Sequence, residues 1–149
     1  MAFNAEQFME QTIKGANSIK MQPIPVGEYP AIISKVQPRP WQSKDGTSSG
    51  ISLDVTWEIA DDNLKVSLGR DKITVRQGVM LDLNLETGDL DMGEGRNVGL
   101  GRLREAVGKN SGDFSLSSLP GLAAKVVVTH RLDKEKDEIY SEVNRVLPL

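Results

Sequence analysis

Ile51, Leu53, Val55, Trp57 and Ile59 alternate with Ser52, Asp54, Thr56 and Glu58, the period-2 pattern of a strand with one face in a core. A second series, Ile73, Val75, Val79, Leu81, Leu83 and Leu85, keeps odd parity through Gln77-Gly78 and predicts one long strand with Gly78 at a bend or bulge. Upstream, EYPAIISKV at residues 28 to 36 is strand-like, and Pro38 and Pro40 are expected to end it because neither can donate a ladder hydrogen bond. Near the C-terminus, LAAKVVVTHRL and IYSEVNRVL predict two more strands joined by the charged run DKEKDE.

Two segments carry a helical period instead. In NAEQFMEQTIKGA, Phe8, Met9, Thr12 and Ile13 share a face behind Asn4 as N-cap, with Gly15 closing. In NVGLGRLREAVG, Leu100, Leu103 and Val107 share a face and Gly108 closes, although Gly99 and Gly101 weaken the helix. Residues 17 to 27 hold two prolines and no period, so they predict an extended linker, and Asp61-Asp62-Asn63 predicts a turn. The division that follows is a helix and linker over residues 1–26 and one domain over residues 27–149.

Five strands with one helix between the third and fourth is the element order of the OB-fold, a small Greek-key barrel that binds oligonucleotides through its β2-β3 face and the L12 and L45 loops. The expected fold is therefore mainly β, an OB-fold-like five-stranded barrel preceded by an N-terminal helix. L12 would span residues 37 to 50 and L45 residues 131 to 138.

With 149 residues the chain suits one domain with a core. It has no cysteine and a single histidine, His130, which excludes disulfides, thiolate zinc sites, cysteine nucleophiles and multi-histidine metal sites. The first residues lack the cationic start and apolar core expected of a secretion signal, and no apolar run reaches the roughly 18 residues needed to span a bilayer. Net charge is −3, which argues against coating polyanions through bulk positive charge. The acid is concentrated mid-chain: residues 51 to 96 hold 10 acidic and 5 basic residues, residues 27 to 50 hold 3 basic and 2 acidic, and residues 97 to 149 hold 8 basic and 7 acidic. An anion-binding surface has to come from local clusters.

Such clusters fall in the two loops. Single-stranded nucleic acid needs cations along its phosphates and flat side chains under its bases. L12 would supply Arg39, Trp41 and Lys44; L45 would supply Arg131, Lys134 and Lys136, with Tyr140 just beyond; the outward side of β3 would add Lys72 and Arg76. Asp54 and Glu58 on the outward side of β2 would repel phosphate unless paired with those cations. Trp41 follows Pro-Arg-Pro, which holds the chain extended; its indole either stacks on bases or folds back as a lid on the barrel end. Trp57 shares the apolar parity of its strand and belongs to the core.

Other motifs fail on spacing. In DLNLETGDLDMG the glycine comes one position too late for an EF-hand loop. GEGRNVGLG has Val98 where a dinucleotide-binding loop needs its third glycine, and no βαβ unit surrounds it. Nothing ties His130 to a nucleophile or a carboxylate, so neither catalysis nor a cofactor or metal is expected.

The segments IPVGEYPAIISKV, ISLDVTWEI, GVMLDLN, LDMGEGRNVGLGRLREAVG, LPGLAAKVVVT and EVNRVLPL, spread over most of residues 24 to 149, resemble a family of bacteriophage-encoded single-stranded DNA-binding proteins with an OB-type core. The resemblance implies sequence-nonspecific binding of single-stranded DNA in phage DNA replication or recombination, in the cytoplasm of the infected bacterial host. The acidic net charge predicts modest affinity per monomer, offset if copies assemble along the strand as a homo-oligomer; the N-terminal helix, with Phe8 and Ile13, is a candidate for that contact or a cover for one barrel end, and other phage replication or recombination proteins are expected partners. The closing RVLPL differs from the acidic, Phe-tipped tail through which bacterial counterparts recruit partners. The alternative from another class is an OB-like protein-interaction module of a phage replication or assembly complex, without DNA affinity of its own.

Overall fold

The computed structural model describes residues 2–149. Its strands are β1 (Gly27–Gln42), β2 (Ser49–Ile59), β3 (Thr74–Leu81), β4 (Ala123–Asp133) and β5 (Glu138–Leu147). They close into a barrel in the order β1-β2-β3-β5-β4, with β4 returning to β1. Every pairing is antiparallel except β3 with β5. This is an OB-like barrel. Among the described residues the α-helices are α1 (Ala5–Met9), α2 (Asp62–Leu68) between β2 and β3, and α3 (Val98–Ala106) between β3 and β4, with a 3-10 turn at Leu116–Ser118.

The core follows the parity of the apolar positions. Leu53, Val55, Trp57 and Ile59 of β2 are buried together with Ile33, Ile73, Val75, Val79, Val126 and Val128, and α3 adds Leu100, Leu103 and Ala106. Trp57 is wholly buried and donates Nε1–H to Gln77 Oε1 at 2.9 Å, which satisfies the one polar atom its burial would otherwise strand.

Four sequence expectations are corrected. β1 does not stop at the prolines but runs through both to Gln42, with Pro38 opposite Leu53 and Pro40 opposite Ile51. The two share parity, so both missing donors face the same side, and past Ile32 β1 has no β4 neighbour on one side; edge proline is compatible with a strand. The L12 loop shrinks accordingly to the six residues between β1 and β2, Ser43 to Ser48. Second, Gly78 makes no bulge, because β2 and β3 stay in unbroken register from Ile51 opposite Leu81 to Glu58 opposite Thr74.

Third, β3 begins at Thr74, leaving Lys72 ahead of it, and ends at Leu81. It ends there because the next N–H and C=O, those of Asp82, bond to the side chain of Asn97 and not to β2; beyond it only Leu83 and Leu90 form a bridge, and Leu85 is exposed. Fourth, the turn at Asp61 opens α2. Asp61 Oδ1 caps Leu64 N at 3.0 Å, and Gly69 ends the helix in the left-handed region at φ 64°. Its seven residues bury only Leu64, too few apolar positions to show a period.

α1 carries the expected cap, Asn4 Oδ1 accepting from Gln7 N, yet it stops at Met9 and buries nothing. A helix this short relies on packing for persistence, and here only the Phe3 and Phe8 rings meet, 5.6 Å apart. The linker behind it is tied down. Ile24 sits in the core, its N–H donates to Ser141 Oγ at 2.8 Å, and its carbonyl accepts from His130 Nε2 at 2.5 Å. The Arg70 guanidinium holds Gln22 O, and Lys20 Nζ donates to Asp137 O at 2.6 Å.

Candidate nucleic-acid interface

One extra residue in β1 decides what the outside of the barrel presents. Ile33 lies opposite Trp57, but Lys35 lies opposite Thr56, so a bulge at Ser34 shifts the strand by one. Ala31 and Ile33 point inward before it; after it Val36 does, and Lys35, Gln37, Arg39 and Trp41 turn outward. They join Gly50, Ser52, Asp54 and Thr56 of β2 and Arg76, Gly78 and Met80 of β3 on one outer face. One row crosses most of the barrel: Lys35, Thr56, Arg76, Glu142 of β5 and Thr129 of β4. Lys35 is a surface cation that strand parity assigns to the core, and no signal in the sequence marks the bulge that exposes it.

Trp41 faces Gly50 across the hairpin. A Cβ at position 50 would lie 2.9 Å from the indole Nε1, so the ring rests directly on the glycine backbone. The indole is half-buried, and Nε1 is shielded with no hydrogen-bond partner. It is neither projected freely nor folded onto the barrel end; it lies along the outer face. Gly50→Ala should therefore lift the ring, seen as a red shift in Trp41 emission in a Trp57→Phe background, with little loss of stability because the position is near the hairpin end.

The charges around it are partly matched. Arg39 Nε holds Asp54 Oδ2 at 2.9 Å, which removes the expected clash between the β2 acid and phosphate while occupying one nitrogen of the cation. Ser52 between them is buried, and its hydroxyl makes only a long 3.5 Å bond to Val79 O. At the hairpin tip Asp45 accepts from Ser43 Oγ, Thr47 Oγ1 and Thr47 N, which hold its carboxyl at about 2, below the ordinary 3.8. The turn thus keeps this support above the unfolded value and loses it as the pH falls through about 2. Lys44 sits exposed on that turn.

The remaining residues gather at the other hairpin. Arg131 and Tyr140 are not loop residues; they pair across β4 and β5, and the true L45 tip is Lys134 to Asp137. Both lie on the outer face with Glu142, which Arg131 approaches at 3.9 Å. The Tyr140 hydroxyl donates to Glu138 Oε2 at 2.5 Å, and this bond is the main cause of its raised pKa. Lys134 and Lys136 stand exposed at the tip, whose turn is fixed by Asp133 Oδ1 accepting from Glu135 N and Lys136 N. By register the two hairpins extend from opposite ends of the barrel strands, with Arg76 between them. So the fold collects Arg39, Trp41 and Lys44 at one end and Arg131, Lys134, Lys136 and Tyr140 at the other, and leaves out Lys72, which precedes β3.

β3 and β5 share a single backbone-paired position, Arg76 with Glu142. Beyond it the strands part, and α3 spans a cleft of about 750 Å³ between them. No helix among the described residues is long and apolar enough to cross a membrane. No family model matches the chain, and no characterised protein matches it in sequence.

Proposed function

We propose that the chain binds single-stranded DNA without sequence preference, through the outer face of β1, β2 and β3, and that it catalyses no reaction. The observation that carries this reading is the seating of Trp41 on Gly50 in the same face as Lys35 and Arg76: a flat ring held at fixed height beside cations spaced along strands. Bases stack on such a ring whatever their identity, each stack contributing about 1–3 kcal/mol. Phosphates are taken by Lys35, Lys44, Arg76 and the exchangeable Arg39, and at the far hairpin by Arg131, Lys134 and Lys136 with Tyr140 as a second ring. The resemblance to phage single-stranded DNA-binding proteins supports the same reading and sets it in phage DNA replication or recombination, in the cytoplasm of the bacterial host.

Titration with oligo(dT), followed by tryptophan fluorescence at two salt concentrations, tests it. Wild-type protein should be quenched, with log K falling against log salt by about 0.7 for each phosphate contacted. Trp41→Ala should bind about 5- to 150-fold more weakly, the loss of one stack. No quenching and no mobility shift at low salt would remove DNA binding altogether.

A second reading, a protein-interaction module, has its own observation. Phe3, Phe8, Met9 and Ile13 are all exposed ahead of the barrel, side chains that an assembly contact with a second copy or another phage replication protein would cover. Deleting residues 2–16 should leave DNA affinity unchanged under the first reading, with any change confined to oligomeric state in sedimentation.

A further inference from the structure

Gly78 lies on the outer face with no positive φ, register shift or steric contact that requires glycine; an added Cβ would meet nothing nearer than Ser52 Oγ at 3.8 Å. Glycine in the interior of a strand weakens it, and where no backbone reason exists the ordinary explanation is close approach of something else. Gly78 lies opposite Asp54 on its β2 side. On its other side, two residues past the Arg76–Glu142 pair, lies the mouth of the cleft, whose walls include Gly78, Met80, Arg102, Glu105, Arg145 and Leu147. The bare backbone is thus a saddle joining the Trp41 face to the cleft.

The cations in the cleft are available. Among the described residues Arg102 and Arg145 form no ion pair, whereas Arg96 pairs with Asp91 at 3.6 Å and Arg104 lies over the Phe114 ring at 4.9 Å. The two acids there are engaged: Asp82 Oδ2 accepts from Asn97 N at 2.8 Å, and Glu105 Oε2 accepts from Asn110 Nδ2 at 3.3 Å. Arg102 comes from α3 and Arg145 from β5, two of the elements that line the cleft together with Gly78 of β3.

We infer that a bound polynucleotide strand crosses β3 at Gly78 and continues into the cleft, where Arg102 and Arg145 receive its phosphates. This rests on the DNA-binding reading and extends it: the strand turns off the barrel face instead of following it only from hairpin to hairpin. It also gives the open seam between β3 and β5 a use.

Two variants test the track in the Trp57→Phe background, so that Trp41 alone reports. Arg102→Ala/Arg145→Ala should leave quenching at saturation intact and reduce the salt slope on long oligo(dT) by about 1.4, two contacts' worth. Gly78→Thr should fold at least as stably, since a β-branched residue suits an open strand position, yet bind long oligo(dT) about tenfold more weakly. On an oligomer of about 4 nucleotides, near the lower limit of an OB-fold site, both variants should bind like the parent. Unchanged slope and affinity on long oligomers, with the parent binding normally, would overturn the track and leave the open strand edges to a peptide. Absence of binding by the parent itself would sink the DNA reading and the track together.

Discussion

Trp57→Ala should lower the stability of the barrel by about 3–5 kcal/mol, the range for emptying a large aromatic site in a packed core. The residue is among the largest wholly buried side chains, in register between Ile33 on β1 and Val75 on β3, so neighbours from two strands would face the void. Strands paired on both sides cannot collapse far, and partial collapse is why cavity terms add to the lost transfer energy. The variant also strands Gln77, whose amide oxygen takes the indole proton. Trp57→Phe keeps most of the volume and should cost only about 1–2 kcal/mol. Denaturant titration monitored by circular dichroism checks both: the midpoint should fall while the slope stays constant. A loss under 1 kcal/mol for Trp57→Ala would mean that the barrel interior is not close-packed at this layer.

Asn97→Ala should cost about 3–4 kcal/mol, despite removing only a small polar side chain. Asn97 is buried and sits at φ 53°, where its own side chain does the work of a strand neighbour. Oδ1 accepts from Asp82 N at 2.8 Å, and Nδ2 donates to Asp82 O at 2.9 Å and to Asp91 O at 2.8 Å. Alanine would leave Asp82 N and Asp91 O unpaired, Asp82 O keeping only its bond from Asp91 N at 2.8 Å, and would carry a Cβ into the left-handed region without the local hydrogen bonding that lets asparagine tolerate it. Asn97→Gly separates the two effects, because it relieves the backbone strain but not the lost bonds; its cost should be smaller than that of alanine by about 1 kcal/mol. Equal costs for the two would show that strain contributes nothing. In either variant the acidic loop from Asp82 to Asn97 should lose amide-exchange protection first, since this one side chain ties both of its ends.

The two residues differ in how far the sequence alone reveals them. Trp57 was legible because a strand's side chains alternate strictly, and four other apolar residues share its parity. Asn97 gives no such signal within its glycine-rich stretch, because its importance lies in contacts to Asp82 and Asp91, fifteen and six residues away. α2 escaped for a related reason: one buried leucine gives no periodicity to read. The N-terminal segment shows the opposite error, where a helical pattern through Ile13 yields a helix only to Met9 because nothing packs against it. The aromatic and cationic site residues were identifiable by type, but their grouping into two hairpin ends, the partial neutralisation of Arg39 and Arg131, and the exclusion of Lys72 from β3 all depend on pairing partners far along the chain.

What the sequence determined by itself is the number and order of the strands, the place of α3 between the third and fourth, and the inward face of β2, because each rests on local periodicity. What only the tertiary structure decided is the side on which Arg39 and Trp41 emerge. Strand parity has a memory of two residues, and the single bulged residue at Ser34 inverts it for the rest of β1. The bulge exists only in the pairing of β1 with β2, so the outer face, with Lys35, Trp41 on Gly50 and the bare backbone at Gly78, comes into being when the two strands meet.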